Sequence, residues 1–387
     1  MLYIAFSADV GIAARMLSAR PVVLVGKASY SLYLWHWPAL VLGGWLALLY
    51  EQPSMRLAAF GLSLLGAIAA YFWVEPAAKS RRDTVRLSVL AGIALGFASL
   101  WIAFCSKPSP PPGDYPTQWG GVPFESVDLA REIREISQGQ RFATIDVFMP
   151  QCREGRMRVA RTGPAETPTR MVVFGDSHGQ ALAPLLSDIA ASCDAPAAFV
   201  TASAVPPFLV QRPPLRLSAG EREAFNALRL KLLRDEQPSV VVIVARWDSA
   251  IRRGDIDELR GLLHAVRTEV PKAHLVIVGQ PPMLAFGDLN TPQWLAWRAR
   301  HGLPVESILP AFTREWREGQ AYLRTFAASE ASVTLVELAD LYFTEEGRVR
   351  TMQDGHILYV DDDHLSVFGA SIAHARLFKA IAPLLGK

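Results

Sequence analysis

Met171-Val172-Val173-Phe174-Gly175-Asp176-Ser177-His178-Gly179 is an apolar run that passes straight into Gly-Asp-Ser-His-Gly. A buried strand entering a helical pattern here puts the Ser177 hydroxyl at the carboxyl end of a sheet, the edge where open α/β sheets bind ligands. The complementary groups lie near the other end of the chain, in Asp361-Asp362-Asp363-His364-Leu365-Ser366, with Asp361 three residues before His364. That separation lets the carboxylate reach the imidazole from the same turn. Ser177 as nucleophile, His364 as base and Asp361 as orienting acid supply the groups of a hydrolytic triad.

Outward from Ser177 the pattern alternates. Residues 171–174, 198–201, 239–244, 274–278 and 333–336 read as strands. Residues 180–192, 219–234, 255–270, 293–300, 308–328 and 367–385 read as helices, the last with Ser366 as N-cap. Strands with interleaved helices predict a three-layer α/β domain with a parallel sheet over 170–387.

The 387 residues allow two or three domains. A hydrophobic content of 51% is high for a wholly soluble enzyme, and the apolar residues crowd into the first 105 positions. A net charge of +2 gives no footprint for nucleic acid. Cys105, Cys152 and Cys193 do not make a disulfide scaffold. Cys152 and Cys193 pair if their domain lies outside the cytoplasm; otherwise they are free buried thiols. Residues 1–16 contain Asp9 and Arg15 and lack the form of a signal peptide.

Residues 1–17 are an apolar stub too brief to span a bilayer, followed by a basic stretch at 20–27. Three spans are predicted, at 31–50, 57–74 and 87–105, the first with Trp35, Trp37, Trp45 and Tyr50 near its ends. Basic residues collect at 15–27 and 79–86, two loops separated by two spans. Both loops then lie on one side, the cytoplasm by the positive-inside rule. The third span carries the chain outward, so everything after Cys105 is expected to be extracytoplasmic. Residues 1–105 form the membrane segment, 106–121 a Pro/Gly-rich linker, and 122–169 an extension leading into the catalytic domain.

Gly175-Asp176-Ser177 and Asp361-x-x-His364 resemble the first and last blocks of the SGNH hydrolase (GDSL-like) superfamily. The Gly-x-Ser-x-Gly elbow of α/β-hydrolases also fits, but there the nucleophile follows a later strand and the acid and histidine come from separate loops. The middle blocks depart from the SGNH pattern. The superfamily takes oxyanion donors from a glycine after the second strand and an asparagine after the third, where this chain has Ala245-Arg246-Trp247-Asp248. Losing one such donor costs on the order of a hundredfold in rate, which suits transfer to a positioned acceptor better than hydrolysis.

Gly26-Lys27-Ala28-Ser29-Tyr30-Ser31-Leu32-Tyr33-Leu34-Trp35-His36-Trp37-Pro38 resembles a signature of the acyltransferase-3 family, multi-spanning membrane O-acyltransferases. Tyr71-Phe72-Trp73-Val74-Glu75-Pro76 resembles the segment closing that family's next span. Members that modify bacterial surface polysaccharides often add a further span and a periplasmic SGNH domain. Fusions of that kind also use Gly-Asp-Ser-His and Ala-Arg-Trp. The resemblance implies a multi-pass protein of the bacterial inner membrane with a periplasmic catalytic domain. It implies O-acetyl transfer to a glycan such as lipopolysaccharide O-antigen. No cofactor is bound; acetyl-CoA is the acyl donor, supplied through a membrane domain. Complete members carry more spans ahead of this point, so the chain looks like the C-terminal part of such an enzyme. A separate chain is then expected to supply the missing helices, with no acyl-CoA-dependent transfer by this chain alone.

The other candidates have more than one reading. Asp176 reads as structural, bonding loop backbone around the nucleophile. His178 either lines the site or lies on the surface of the following helix. Arg246 and Trp247 fall at the sheet edge where the acceptor binds, with Trp247 either a sugar platform or core. Asp362 and Asp363 read as a solvated acidic turn whose charge raises the pKa of His364. His36 lies in a span, as catalytic group or interhelical hydrogen bond, and Glu75 closes the membrane motif. No histidine spacing indicates a metal site. Beside acyl transfer stand two alternatives: an esterase using the same triad, and a non-catalytic partner of a separate membrane domain.

Overall fold

The computed structural model describes residues 17–49, 54–74, 118–119, 122–123, 158–163, 167–202, 205–209, 219–285, 291, 294–295, 298 and 303–387. The chain divides into two compact units, Met1–Pro108 and Ser109–Lys387.

In the first unit α1 spans Arg20–Leu49 and α2 spans Ser54–Ala69, continued by a π turn at Ala70–Val74. The basic stretch at 20–27 is therefore not a loop, as expected, but the first turns of α1. Pro21 does not prevent this, because proline is tolerated in a first helical turn. The helices meet through small residues: a Cβ on Gly43 would collide with Ala59 Cβ, and one on Gly66 would lie 2.7 Å from the Trp35 ring. Ser31, Ser63, Ala59 and Ala67 are buried, whereas Tyr33, Leu34, Trp37, Leu57, Phe60 and Leu65 are exposed. Among the described residues one helical stretch, Ser54–Phe72, is long and apolar enough to cross a bilayer by length and composition. The third expected span, linker residues 106–117 and 120–121, and Cys152 lie outside the described residues.

The second unit is built on a six-stranded sheet. Its strands are β1 (Arg158–Thr162), β2 (Met171–Gly175), β3 (Ala197–Thr201), β4 (Val240–Val244), β5 (His274–Val278) and β6 (Val333–Val336), in the order β1-β3-β2-β4-β5-β6. The five strands from β2 onward pair in parallel, and β1 runs antiparallel to β3. The sheet is thus mixed and mostly parallel, not wholly parallel as expected, because β1 comes from the stretch read as an extension and adds to an open edge. The apolar run Val240-Val241-Val242-Ile243-Val244 is buried throughout, as a strand covered on both faces must be.

Helices cover the sheet: α3 (Ser177–Ser192), α4 (Ala219–Glu236), α5 (Trp247–Arg253), α6 (Glu258–Glu269), α7 (Arg314–Ala328), α8 (Val367–Ser371) and α9 (His374–Ile381). One face packs Val172, Phe174, Val241, Ile243, Leu275 and Ile277 against Phe225, Leu233, Leu262 and Phe326 of α4, α6 and α7. α3 lies against β2 and β3, and α8 and α9 pack on α3. Two expected helices are shorter. The one predicted over 308–328 begins at Arg314, because Ser307–Ile308 pairs with Val349–Arg350. The closing helix is broken into α8, α9 and a 3-10 turn at Ala382–Leu385, with Ser366 capping α8 through Gly369 N–H at 2.9 Å.

Strand β2 has its chain-order successor β3 on one side and β4 on the other. That is the switch point of a doubly wound sheet, where adjacent loops part and leave a crevice. Gly175, the last residue of β2, stands in register with Thr201 and Val244.

Candidate active site

Ser177 is the first residue of α3. Its N–H is one of the donors at the helix start that have no intrahelical acceptor. Gly175 allows the tight entry, since a Cβ there would lie 2.7 Å from Gly179 Cα and 3.2 Å from Val244 O. Asp176 caps the helix: Oδ1 accepts His178 N–H at 2.8 Å. Its Oδ2 accepts Arg246 N–H, also at 2.8 Å. One carboxylate therefore ties the loop after β2 to the loop after β4.

His364 comes from the other end of the chain, on a turn before α8. Tyr359 and Leu365 form a bridge, and Val360 N–H bonds His364 O at 3.0 Å. Asp361 Oδ1 accepts the N–H groups of His364 and Asp363 at 2.7 and 3.1 Å, which folds the turn. Its Oδ2 lies 2.8 Å from His364 Nδ1, and His364 Nε2 lies 2.7 Å from Ser177 Oγ. With Nδ1 protonated, the imidazole donates to the carboxylate and Nε2 accepts the serine hydroxyl.

A second carboxylate reaches the same nitrogen. Asp363 Oδ1 is 2.8 Å from His364 Nδ1, and its side chain is 2% exposed against 37% for Asp361. Asp363 Oδ2 is 2.5 Å from Arg246 Nη1 and 3.6 Å from His178 Nε2. The expected solvated turn is therefore corrected for Asp363, whose carboxylate turns inward between the Arg246 guanidinium and the His364 ring. Nothing in the run Asp361-Asp362-Asp363 distinguishes that residue from its neighbours; only the inward fold of the turn does.

Electrostatics follow from this packing. Burial pushes His364 down, but the hydrogen bonds and charges of Asp361 and Asp363 outweigh it and raise it to about 10. Burial likewise raises Asp363, but His178 and His364 hold it well below the usual carboxylate range. Asp362, half-buried, is pushed up to about 6 by its partial burial and by the like charges of Asp363 and Asp361.

The remaining candidates separate. His178 is buried, with its ring stacked on His364 at 4.6 Å between centroids. Arg246 lies at the sheet edge, with Nε 3.2 Å from Asp248 Oδ1. Asp248 is itself buried and accepts from Gln280 Nε2 at 2.9 Å. Trp247 is fully buried; it packs on Phe208, and its indole N–H donates to Val278 O at 2.7 Å. Of its two readings, core packing is what the structure contains. A cavity of about 10 Å³, room for about one water, lies beside His178, Leu182, Val244, Gln280 and Leu365. His36 is in α1, its Nδ1 2.7 Å from Tyr33 O, and Glu75 is outside the described residues. Among the described residues two overlapping groups, His178 with Asp363 and His364, and Asp361 with Asp362 and Asp363, each have donors close enough together to reach a cation, but Arg246 already supplies positive charge to Asp363.

A doubly wound α/β domain whose serine follows its first parallel strand and whose aspartate and histidine share one turn near its end has the arrangement of the SGNH class, enzymes of acyl transfer or ester hydrolysis. Within that class the chain belongs to the family described as "SGNH domain (fused to AT3 domains)", which matches residues 145–378. No AT3 domain was detected in this chain. No curated protein matches it. Among solved structures, it is similar to the periplasmic domain of a lipopolysaccharide acetyltransferase from Salmonella ser. Paratyphi A, at 16% identity, TM-score 0.48, 66% of this chain and 98% of that one. It is also similar to a family two carbohydrate esterase from Clostridium thermocellum in complex with cellohexaose, at 14% identity, TM-score 0.38, 58% of this chain and 67% of that one. A third is a putative platelet activating factor from Streptococcus pneumonia, at 12% identity, TM-score 0.35, 66% of this chain and 94% of that one.

Proposed function

We propose that this protein transfers an O-acyl group, in the first instance acetyl, to a hydroxyl of a bacterial cell-surface glycan outside the cytoplasm. The observation that carries the chemistry is the 2.7 Å contact between Ser177 Oγ and His364 Nε2, with Asp361 on the far nitrogen. The membrane setting draws on the family's fusion to AT3 domains and on the α1–α2 pair, whose small residues face inward and large apolar residues outward. The glycan acceptor and the acetyl-CoA origin of the acyl group follow from the acyltransferase-3 resemblance of residues 26–38.

In the reaction, Ser177 Oγ attacks the acyl carbonyl as its proton passes to His364 Nε2. The developing oxyanion faces the start of α3, where the Ser177 N–H is a donor. Asp361 stabilises the imidazolium. The tetrahedral intermediate collapses, His364 returns the proton to the leaving group, and Ser177 carries the acyl ester. A sugar hydroxyl then gives its proton to His364 Nε2 and attacks that ester. Collapse passes the acyl group to the sugar and the proton back to Ser177.

A second reading is hydrolysis, with water in place of the sugar. It is favoured by the open side of the site, where His364 keeps 15% of its side chain in solvent.

The test uses the full chain in detergent micelles with p-nitrophenyl acetate. The expected result is an acetyl adduct by intact mass that disappears in Ser177→Ala and His364→Ala. Added polysaccharide should then divert acetyl from free acetate to sugar ester. No adduct in folded wild type would overturn the reading. Adduct with release only to water would leave the esterase.

A further inference from the structure

We propose that Asp363, gripped by Arg246, is a second positioning acid on His364, sharing with Asp361 the task of fixing the imidazole. The proposal rests on the reading of Ser177 and His364 as nucleophile and base.

Three observations carry it. First, both carboxylates stand 2.8 Å from the same atom, His364 Nδ1. Second, their surroundings differ. Asp361 is partly in solvent, whereas Asp363 is almost wholly enclosed. A charge in low dielectric acts more strongly on its neighbour than one screened by water. Third, Asp363 is itself held in place. Arg246 Nη1 lies 2.5 Å from its other oxygen, and Arg246 N–H is bonded to Asp176, the residue before the nucleophile. The contacts close a ring: Ser177 to His364, His364 to Asp363, Asp363 to Arg246, and Arg246 through its backbone to Asp176. The nucleophile's loop and the base's loop are thereby locked to each other through Asp363, a link that Asp361 does not make.

Among the described residues, the charged or titratable groups around His364 come from three elements. From its own turn come Asp361, Asp362 and Asp363. From the start of α5 come Arg246 and, behind it, Asp248. From the start of α3 come Asp176 and the stacked ring of His178. Two changes should move His364 in opposite senses. Removing the Asp363 charge lowers its proton affinity; removing the Arg246 charge leaves Asp363 unopposed and raises it.

The experiment uses the full chain in detergent micelles, selectively ¹⁵N-labelled at histidine, with the His364 resonance assigned by its loss in His364→Gln. The variants are Asp361→Asn, Asp363→Asn and Arg246→Met. The ¹⁵N titration reads His364 whether or not the protein turns over, so it is independent of the proposed reaction. The pH profile of Ser177 acetylation is the second readout. In Asp363→Asn the His364 titration should move down by at least about one pH unit. In Arg246→Met it should move up. Acetylation in Asp361→Asn should persist at a measurable rate, and the Asp361→Asn/Asp363→Asn pair should lose at least about tenfold more than Asp361→Asn alone. A His364 titration unchanged by both Asp363→Asn and Arg246→Met, or moved the same way by both, would overturn the proposal. If Asp363→Asn does not fold, a downward or absent shift in Arg246→Met overturns it alone. Wild type that titrates as described but takes no acetyl would instead sink the proposed function.

Discussion

Asp176 Oδ2 accepts the backbone N–H of Arg246 at 2.8 Å, across a separation of 70 residues. The bond crosses the switch point of the sheet and fixes the distance between the loops that follow β2 and β4. Asp176 is buried, and it also caps α3 through His178 N–H. In Asp176→Ala both donors lose their acceptor. Each buried N–H left unpaired costs about 1–3 kcal/mol. The expected outcome is a lower thermal unfolding temperature together with loss of Ser177 acetylation. Asp176→Asn retains one acceptor and should fall between. Unfolding followed by circular dichroism, beside the mass assay, checks both.

The two glycines flanking the nucleophile should respond oppositely to alanine. A Cβ on Gly175 meets Gly179 Cα at 2.7 Å, a backbone atom that cannot move aside cheaply. Gly175→Ala should destabilise by about 1–3 kcal/mol through overpacking and displace Ser177. A Cβ on Gly179 meets Thr201 Cγ2 at 3.4 Å, ordinary contact. Alanine there also gains up to about 1 kcal/mol of helix propensity. Gly179→Ala is expected to fold and to be acetylated like wild type; unfolding temperatures of the two variants decide the matter.

The strands were legible because they are continuous β-branched or apolar runs, and 274–278 is a strand from end to end. The pairing of Ser177 with His364 was legible because each motif carries its own local chemistry. Other features had no local signal. β1 sits in a polar stretch and becomes a strand only by pairing with β3. The start of α1 was hidden by charge: Arg20 and Lys27 look like loop residues, but a helix accepts both. Asp363 differs from Asp362 only in where the folded turn points it. Trp247, beside a half-buried arginine at the sheet edge, left core packing and a sugar platform both open until its ring was placed.

Trp247 supplies a direct test of that last point. Its indole is fully enclosed and its N–H bonds Val278 O, at the end of β5. Trp247→Ala is expected to destabilise by about 3–5 kcal/mol. Trp247→Phe keeps most of the volume and loses the hydrogen bond, about 0.5–1.5 kcal/mol. A buried ring offers no face to a sugar, so the acceptor concentration for half-maximal transfer should be unchanged in Trp247→Phe. A large rise in that concentration with an intact fold would return Trp247 to the acceptor site.

His364 ties activity and stability to pH in opposite directions. Its folded value is raised from 6.5 to about 10 because the charges of Asp361 and Asp363 outweigh burial. Near neutral pH the imidazole therefore holds its proton, and only the small neutral fraction can accept one from Ser177. That fraction grows about tenfold per pH unit, so the rate of Ser177 acetylation should climb steadily from neutral pH toward about 10. Stability runs the other way. A group bound to its proton more tightly when folded stabilises fully below its unfolded value of 6.5, and that contribution is lost as pH rises through about 10. Unfolding temperature should accordingly decline over the interval in which acetylation accelerates. His364→Gln removes the titrating group and should flatten both trends. A rate that levels off below about pH 8, together with an unfolding temperature that does not fall, would mean that the carboxylate pair does not hold the proton on His364.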